Sequence, residues 1–278
     1  MTSLQLRPRL RAVLYLVAVT AASAALAQSA KQDFEPRVGQ AGKDVVWVPT
    51  AQTLVDKMLD MAKAAPGDYV IDLGSGDGRT VITAARRGIK AHGIEYNPDM
   101  VALSKRNAEV AGVADKATFV HADIFDSDFS QATVLTLFLL TDLNIKLRPT
   151  ILRMKPGTRV VSNTFNMGDW EPDQTVQAPE GCQSFCRAHL WIVPAQVDGT
   201  WQLGESELTL TQKYQTLTGK LSTGNVIAPI AKGHLDGDRI AFTAAGTEYT
   251  GRVAGTNMEG TSRTGGAEAS WRAMRKQK

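Results

Sequence analysis

The stretch Tyr69-Val70-Ile71-Asp72-Leu73-Gly74-Ser75-Gly76-Asp77-Gly78-Arg79 decides the fold. A β-branched, apolar run ends in an acid, a glycine loop follows, and helix-forming sequence comes next. The spacing predicts a strand, a tight turn and a helix start. Glycines without Cβ let a ligand approach the backbone, and the N–H groups of the helix start face such a ligand. The glycines fall at 74, 76 and 78, and Arg79 stands where a dinucleotide turn wants its third glycine. No Gly-Lys-Ser/Thr follows, so a P-loop is excluded.

Working outward, strand and helix alternate. Strands are predicted at 69–73, 91–95, 117–121, 133–139, 159–162 and 188–193. Helices are predicted at 79–87, 98–111 and 142–154, with a further one after Thr50, which is placed to be its N-cap. This alternation predicts an α/β fold, a doubly wound and mostly parallel sheet. Helical periodicity vanishes after Pro194. Short runs at 200–203, 207–214, 217–221, 226–230, 239–243, 248–253 and 270–273, separated by Gly, Asn and Asp, predict an all-β antiparallel sandwich or small barrel. The expected domains are 47–194 and 195–278, with 28–46 a linker or arm.

Acids recur where open α/β sheets bind ligands, at the carboxyl ends of parallel strands. Asp72 ends the first strand, Asp77 lies in the loop, Glu95 ends the second strand, and Asp123 follows the third with Ile124 beside it.

The run Asp72-Leu73-Gly74-Ser75-Gly76-Asp77-Gly78 resembles motif I of the class I S-adenosylmethionine (SAM) methyltransferases. Val48-Pro49-Thr50, Gly93-Ile94-Glu95, Asp123 and the segment 136–140 with Asn144 extend the resemblance to the mitochondrial protein-lysine methyltransferases. More distantly, the same residues resemble the non-SET histone lysine methyltransferases. The similarity spans residues 47–194. It implies SAM as cofactor and assigns parts to the residues above. Gly74, Ser75, Gly76 and Gly78 cradle the methionine carboxylate. Asp72 or Asp77 meets its ammonium, Glu95 takes the ribose hydroxyls, and Asp123 with Ile124 takes the adenine. Pro49 and Thr50 lie over the cofactor, unless Thr50 serves only as a helix cap.

No Asn-Pro-Pro-Tyr or Asp-Pro-Pro-Tyr is present, so base amines and glutamine amides are poor acceptors, and no cysteine suits pyrimidine C5 chemistry. Thr141, Asp142 and Asn144 are the candidates to orient a nucleophile, or else they cap the helix that starts there. Phe138, Phe165 and Trp170 are candidate channel walls, or else core. The resemblance implies N-methylation of a protein lysine. The alternatives are a small-molecule methyltransferase and a SAM- or S-adenosylhomocysteine-binding envelope protein without turnover. The β domain carries no catalytic constellation and is a candidate partner module. No metal site is read.

A formal net charge of +3 gives no case for a nucleic-acid partner. Arg7, Arg9 and Arg11 precede an apolar stretch that ends in Ala25-Leu26-Ala27, which reads as a secretory signal peptide over residues 1–27. The expectation is a periplasmic or secreted protein, or one anchored in a membrane by that segment if it stays uncleaved. Cys182 and Cys186 pair only if a loop or helical turn separates them, because in one strand they would sit roughly 13 Å apart.

Overall fold

The structure, a computed structural model, describes residues 34–178 and 182–276. The expected signal peptide lies outside the described residues. Chain order runs α1 (Gln52–Met61), β1 (Tyr69–Leu73), α2 (Arg79–Arg86), β2 (Lys90–Glu95), α3 (Pro98–Val110), β3 (Ala117–His121), β4 (Val134–Leu137), α4 (Thr141–Ile151), β5 (Arg159–Asn163), β6 (Gln174–Gln177) and β7 (Arg187–Ile192). The seven strands form one sheet in the order β3-β2-β1-β4-β5-β7-β6. β1 to β5 are parallel, and β7 runs antiparallel to both β5 and β6.

The alternation of side chains along β1 shows how the layers are made. Val70 packs with Leu54, Val55, Met58, Val81 and Val101, from the three helices α1 to α3. Ile71 and Leu73 pack on the other face with Leu147 and Ile151 of α4 and with Trp170 and Trp191. Asp72 shares the face of Val70, where its carboxylate is buried among these layers.

Local rules account for most helix ends. Pro98 opens α3, and the Asn97 side chain accepts from the N–H groups of Asp99 (2.9 Å) and Met100 (3.3 Å). Thr50 does not cap α1; that place falls to Ala51, which makes no side-chain cap. The Thr50 hydroxyl instead accepts from Nδ2 of Asn163 at 3.2 Å. Thr141 and Asp142 lie in the first turn of α4 without capping it, since no side chain caps that helix at its Leu140 start.

The second half is β8 (Gly199–Leu203), β9 (Ser206–Lys213), β10 (Thr216–Thr223), β11 (Val226–Asp236), β12 (Arg239–Ala244), β13 (Thr247–Ala254), β14 (Asn257–Thr264) and β15 (Ala267–Arg275). Each pairs antiparallel with the next, and β15 returns to β8, so the sheet closes into an eight-stranded barrel rather than a sandwich. Trp201, Leu208, Leu210, Leu235, Phe242 and Met258 fill its core. β14 and β6 escape the sequence pattern because they are mostly exposed and polar. β11 runs on past residue 230 through an irregularity between Ala231 and His234, where Lys232 turns to φ 53°.

The barrel docks on the sheet domain through Trp170. Its Nε1 donates to Oε1 of Gln215 at 2.9 Å, and its ring stacks on Tyr214 at 5.6 Å between centroids. Gln215 Nε2 donates to the Glu171 carbonyl (2.9 Å), and the Tyr214 hydroxyl donates to Asp169 (2.9 Å).

Candidate functional site

The chain leaves β1 for β2 and β3 on one side, then crosses back to β4 on the other. A crevice at the carboxyl ends of β1 and β4 is therefore the place for a ligand. A cavity of about 430 Å³ lies there, within the roughly 300–1,000 Å³ typical of small-molecule sites. The glycine loop after β1 forms its floor. Gly74, Gly76 and Gly78 take φ of 78°, 55° and 83°, a region that residues with a Cβ rarely adopt.

The strand-end acids meet at this floor. The Glu95 carboxylate accepts from the N–H groups of Gly76 (2.9 Å) and Asn97 (2.8 Å), which ties the end of β2 to the glycine loop. Asp72 accepts from the Thr136 hydroxyl at 2.6 Å. Burial pushes its pKa up to about 7, with Glu95 and Asp77 adding to the rise against the hydroxyls of Thr136 and Thr80. Asp77 pairs with Arg79, whose guanidinium also donates to the Thr50 carbonyl at 2.8 Å. Arg79 thus takes the place of a third glycine and clamps the loop to the segment before α1.

Residues 39–47 form a small hairpin over the cavity. Gly39 N–H donates to the Trp47 carbonyl, and Trp47 N–H donates to the Gln40 carbonyl, each at 2.9 Å. Trp47 lies on the loop so closely that a Cβ at Gly76 would sit 2.7 Å from its Nε1. Lys43 pairs with Asp123 and stands 4.9 Å over the Tyr96 ring. That partner holds the Asp123 carboxyl below its usual range. The stretch expected to be a linker contributes residues 40–46 to the cavity wall. The run of β-branched residues around Trp47 was its only signal in the sequence.

Of the candidate cofactor residues, Pro49, Thr50, Asp72, Gly74, Ser75, Gly76, Asp77, Glu95, Asp123 and Ile124 all line this cavity. Gly78 lies behind the floor, against Phe119 and Ser104. The cavity also has an apolar lining, with Leu139 beside Gly74 and with Leu140, Leu143 and the clustered rings of Phe138, Phe165 and Phe185. The three residues proposed to orient a nucleophile are not brought to it. Asp142 is exposed, and the Thr141 hydroxyl donates to Asn166 at 3.4 Å. Asn144 is fully buried, and its amide donates to the carbonyls of Phe165 (3.2 Å) and Asn166 (3.1 Å). It therefore sets the Phe165 loop and does not reach the cavity. Trp170 is fully buried at the barrel contact, so it is no channel wall.

The donor set fits SAM. The cavity offers carboxylates at three strand ends and a glycine cradle, and an apolar sleeve for the reacting group. The fold and this site define a class I SAM-dependent methyltransferase, and SAM is its cofactor.

Known proteins agree. The ANTKMT methyltransferase domain family matches residues 72–174. A protein-lysine N-methyltransferase of Saccharolobus islandicus is 42% identical over 140 residues, 49% of this chain and 87% of that protein. The adenine nucleotide translocase lysine N-methyltransferase of Mus musculus is 32% identical over 130 residues, 46% of this chain and 56% of that protein. A solved structure described as an RNA methyltransferase from Salinibacter ruber, in complex with S-adenosylhomocysteine, is 47% identical with a TM-score of 0.51. That likeness covers 54% of this chain and 96% of the other. The chain belongs to the protein-lysine N-methyltransferase family represented by the archaeal protein. It spans little more than half the length of the mouse relative.

Proposed function

We propose that this protein transfers a methyl group from SAM to the side-chain amine of a protein lysine. The observation that carries this reading is one cavity lined both by the glycine loop with the strand-end acids Asp72 and Glu95 and by the clustered rings of Phe138, Phe165 and Phe185. SAM supplies a methyl already activated on a sulfonium. The protein has to align a neutral nucleophile with it and exclude water. An apolar sleeve disfavours a charged ammonium, so a lysine entering it gives up its proton more readily. The named activities of the archaeal and mouse relatives support lysine as the acceptor.

RNA methylation is a second reading, favoured by the description of the Salinibacter structure. The near-balanced charge weighs against it. Transfer of labelled methyl from SAM into a cell-envelope extract separates the readings. Label recovered as methyl-lysine after protein hydrolysis is the expected result. Label confined to RNA or to small molecules would reject a lysine acceptor.

The N-terminal 27 residues read as an export signal, and the Cys182–Cys186 disulfide supports an oxidising compartment. N-terminal sequencing of the native protein should find Gln28 first; a chain starting at Met1 in the cytosolic fraction would reject export.

A further inference from the structure

Phe185 stands on a ring of five residues closed by the Cys182–Cys186 disulfide, whose Cα atoms are 5.7 Å apart. Its φ of 54° lies in the left-handed region. A non-glycine residue holds that conformation only where its surroundings impose it. Here the surroundings are the disulfide and two backbone anchors at the start of β7. Ala178 N–H donates to the Cys186 carbonyl at 2.6 Å, and Thr164 N–H donates to the Arg187 carbonyl at 2.7 Å.

The imposed conformation places the Phe185 ring against two others. Its centroid is 5.3 Å from that of Phe138 and 6.0 Å from that of Phe165, and those two are 6.1 Å apart. All three rings line the apolar end of the cavity. Phe138 follows β4 and Phe165 follows β5, so both ride on the sheet. Phe185 precedes β7, held in the disulfide-closed ring, and it remains 39% exposed. A large aromatic kept half in solvent at a cavity wall, by a strained and cross-linked loop, is poorly explained by core packing.

We propose that Phe185, presented by the Cys182–Cys186 ring, is a specificity-determining wall of the methyl-acceptor site, completing a three-phenylalanine sleeve for an aliphatic amine arm. The inference rests on the amine-acceptor reading above. Three rings cover the methylenes of such an arm and keep water from them. Phe138 after β4 and Phe165 after β5 fix two sides of the sleeve, and the start of β7 with the disulfide ring fixes the third. Removing the third side leaves the arm open to water while the glycine-loop end stays as it is.

The test uses a bisubstrate probe, an S-adenosylhomocysteine skeleton with nitrogen in place of sulfur and an aminobutyl arm on that nitrogen. Calorimetry compares it with S-adenosylhomocysteine on the full-length protein, on Phe185→Ala, on Phe185→Leu and on the double variant Cys182→Ser/Cys186→Ser. The wild type should bind the probe more tightly than S-adenosylhomocysteine. Phe185→Ala and the double variant should each lose roughly tenfold of that gain, the scale of uncovering one or two methylenes. Phe185→Leu should keep more of it. Unchanged binding of S-adenosylhomocysteine shows that each variant is folded. Full retention of the gain in Phe185→Ala and in the double variant would overturn the role of Phe185. An arm that adds nothing in the wild type, where S-adenosylhomocysteine still binds, would overturn the amine-acceptor reading itself, and the Phe185 sleeve with it.

Discussion

The carboxylate of Glu95 holds the backbone of Gly76, with the Gly76 N–H donating to Glu95 Oε2 at 2.9 Å. One acid thus fixes the floor of the cavity, and on the proposed assignment it would also accept from the ribose of SAM. Glu95→Ala should weaken SAM binding by about 1–3 kcal/mol, the scale of a lost charged hydrogen bond. Glu95→Gln keeps an acceptor and should lose less. Calorimetry with SAM and with S-adenosylhomocysteine measures both variants, and unchanged affinity in Glu95→Ala would remove Glu95 from the site.

The loop glycines separate folding from binding. A Cβ at Gly78 would meet the Phe119 ring at 2.8 Å and Ser104 Cβ at 2.9 Å, both in the packed interior beneath the loop. Gly78→Ala should therefore lower stability by about 1–3 kcal/mol, from overpacking and from a left-handed backbone. A Cβ at Gly76 would push on Trp47, which lies over the cavity. Gly76→Ala should lose SAM affinity with a smaller drop in melting temperature. Thermal melts beside calorimetry distinguish the two, and equal melting and binding losses in both variants would contradict the assignment.

Trp170 belongs to the junction between sheet and barrel. Trp170→Phe leaves Gln215 Oε1 without its 2.9 Å partner in a buried setting, which should cost about 1–3 kcal/mol. Trp170→Ala adds a cavity and should cost about 3–5 kcal/mol. Neither change touches the glycine floor, so the SAM affinity of the folded fraction should not move. A Trp170→Phe variant with native melting but impaired methyl transfer would restore Trp170 to the acceptor channel.

Local signals carried the cofactor end of the site. The strand, glycine loop and strand-end acids are each set within a few residues, so Asp72, Glu95 and Asp123 could be placed from sequence alone. The acceptor end was less legible because it is made by contacts distant in sequence. Asn144 was expected at the acceptor end with Thr141 and Asp142, but helix phase turns it inward to hold the Phe165 carbonyl. Phe185 carries no periodic signal, and the β5–β7 pairing together with the cross-link brings it to Phe138. Trp170 was a candidate channel wall because its partner Gln215 lies beyond the domain boundary. In the second half, turn residues marked hairpins but said nothing of closure, which depends on the pairing of Arg275 with Trp201.

Asp72 makes the site sensitive to pH in a direction fixed by its burial. Its folded pKa is raised from 3.8 to about 7. The unfolded chain therefore ionises this group first. Stability contributed by the protonated form is complete below about pH 4 and is lost as pH rises toward 7. Binding should follow the opposite sign if Asp72 meets the SAM ammonium, since only the carboxylate attracts it. Between pH 5.5 and 7, SAM affinity should rise by roughly an order of magnitude as this group ionises. Asp72→Asn should flatten both trends, weakening SAM binding at pH 7 while raising the melting temperature there. Calorimetry and melting curves across that range check it. A wild-type affinity independent of pH, or a slope that survives in Asp72→Asn, would mean that another group meets the ammonium. Asp77 would be the next to test, as the other acid at the same loop.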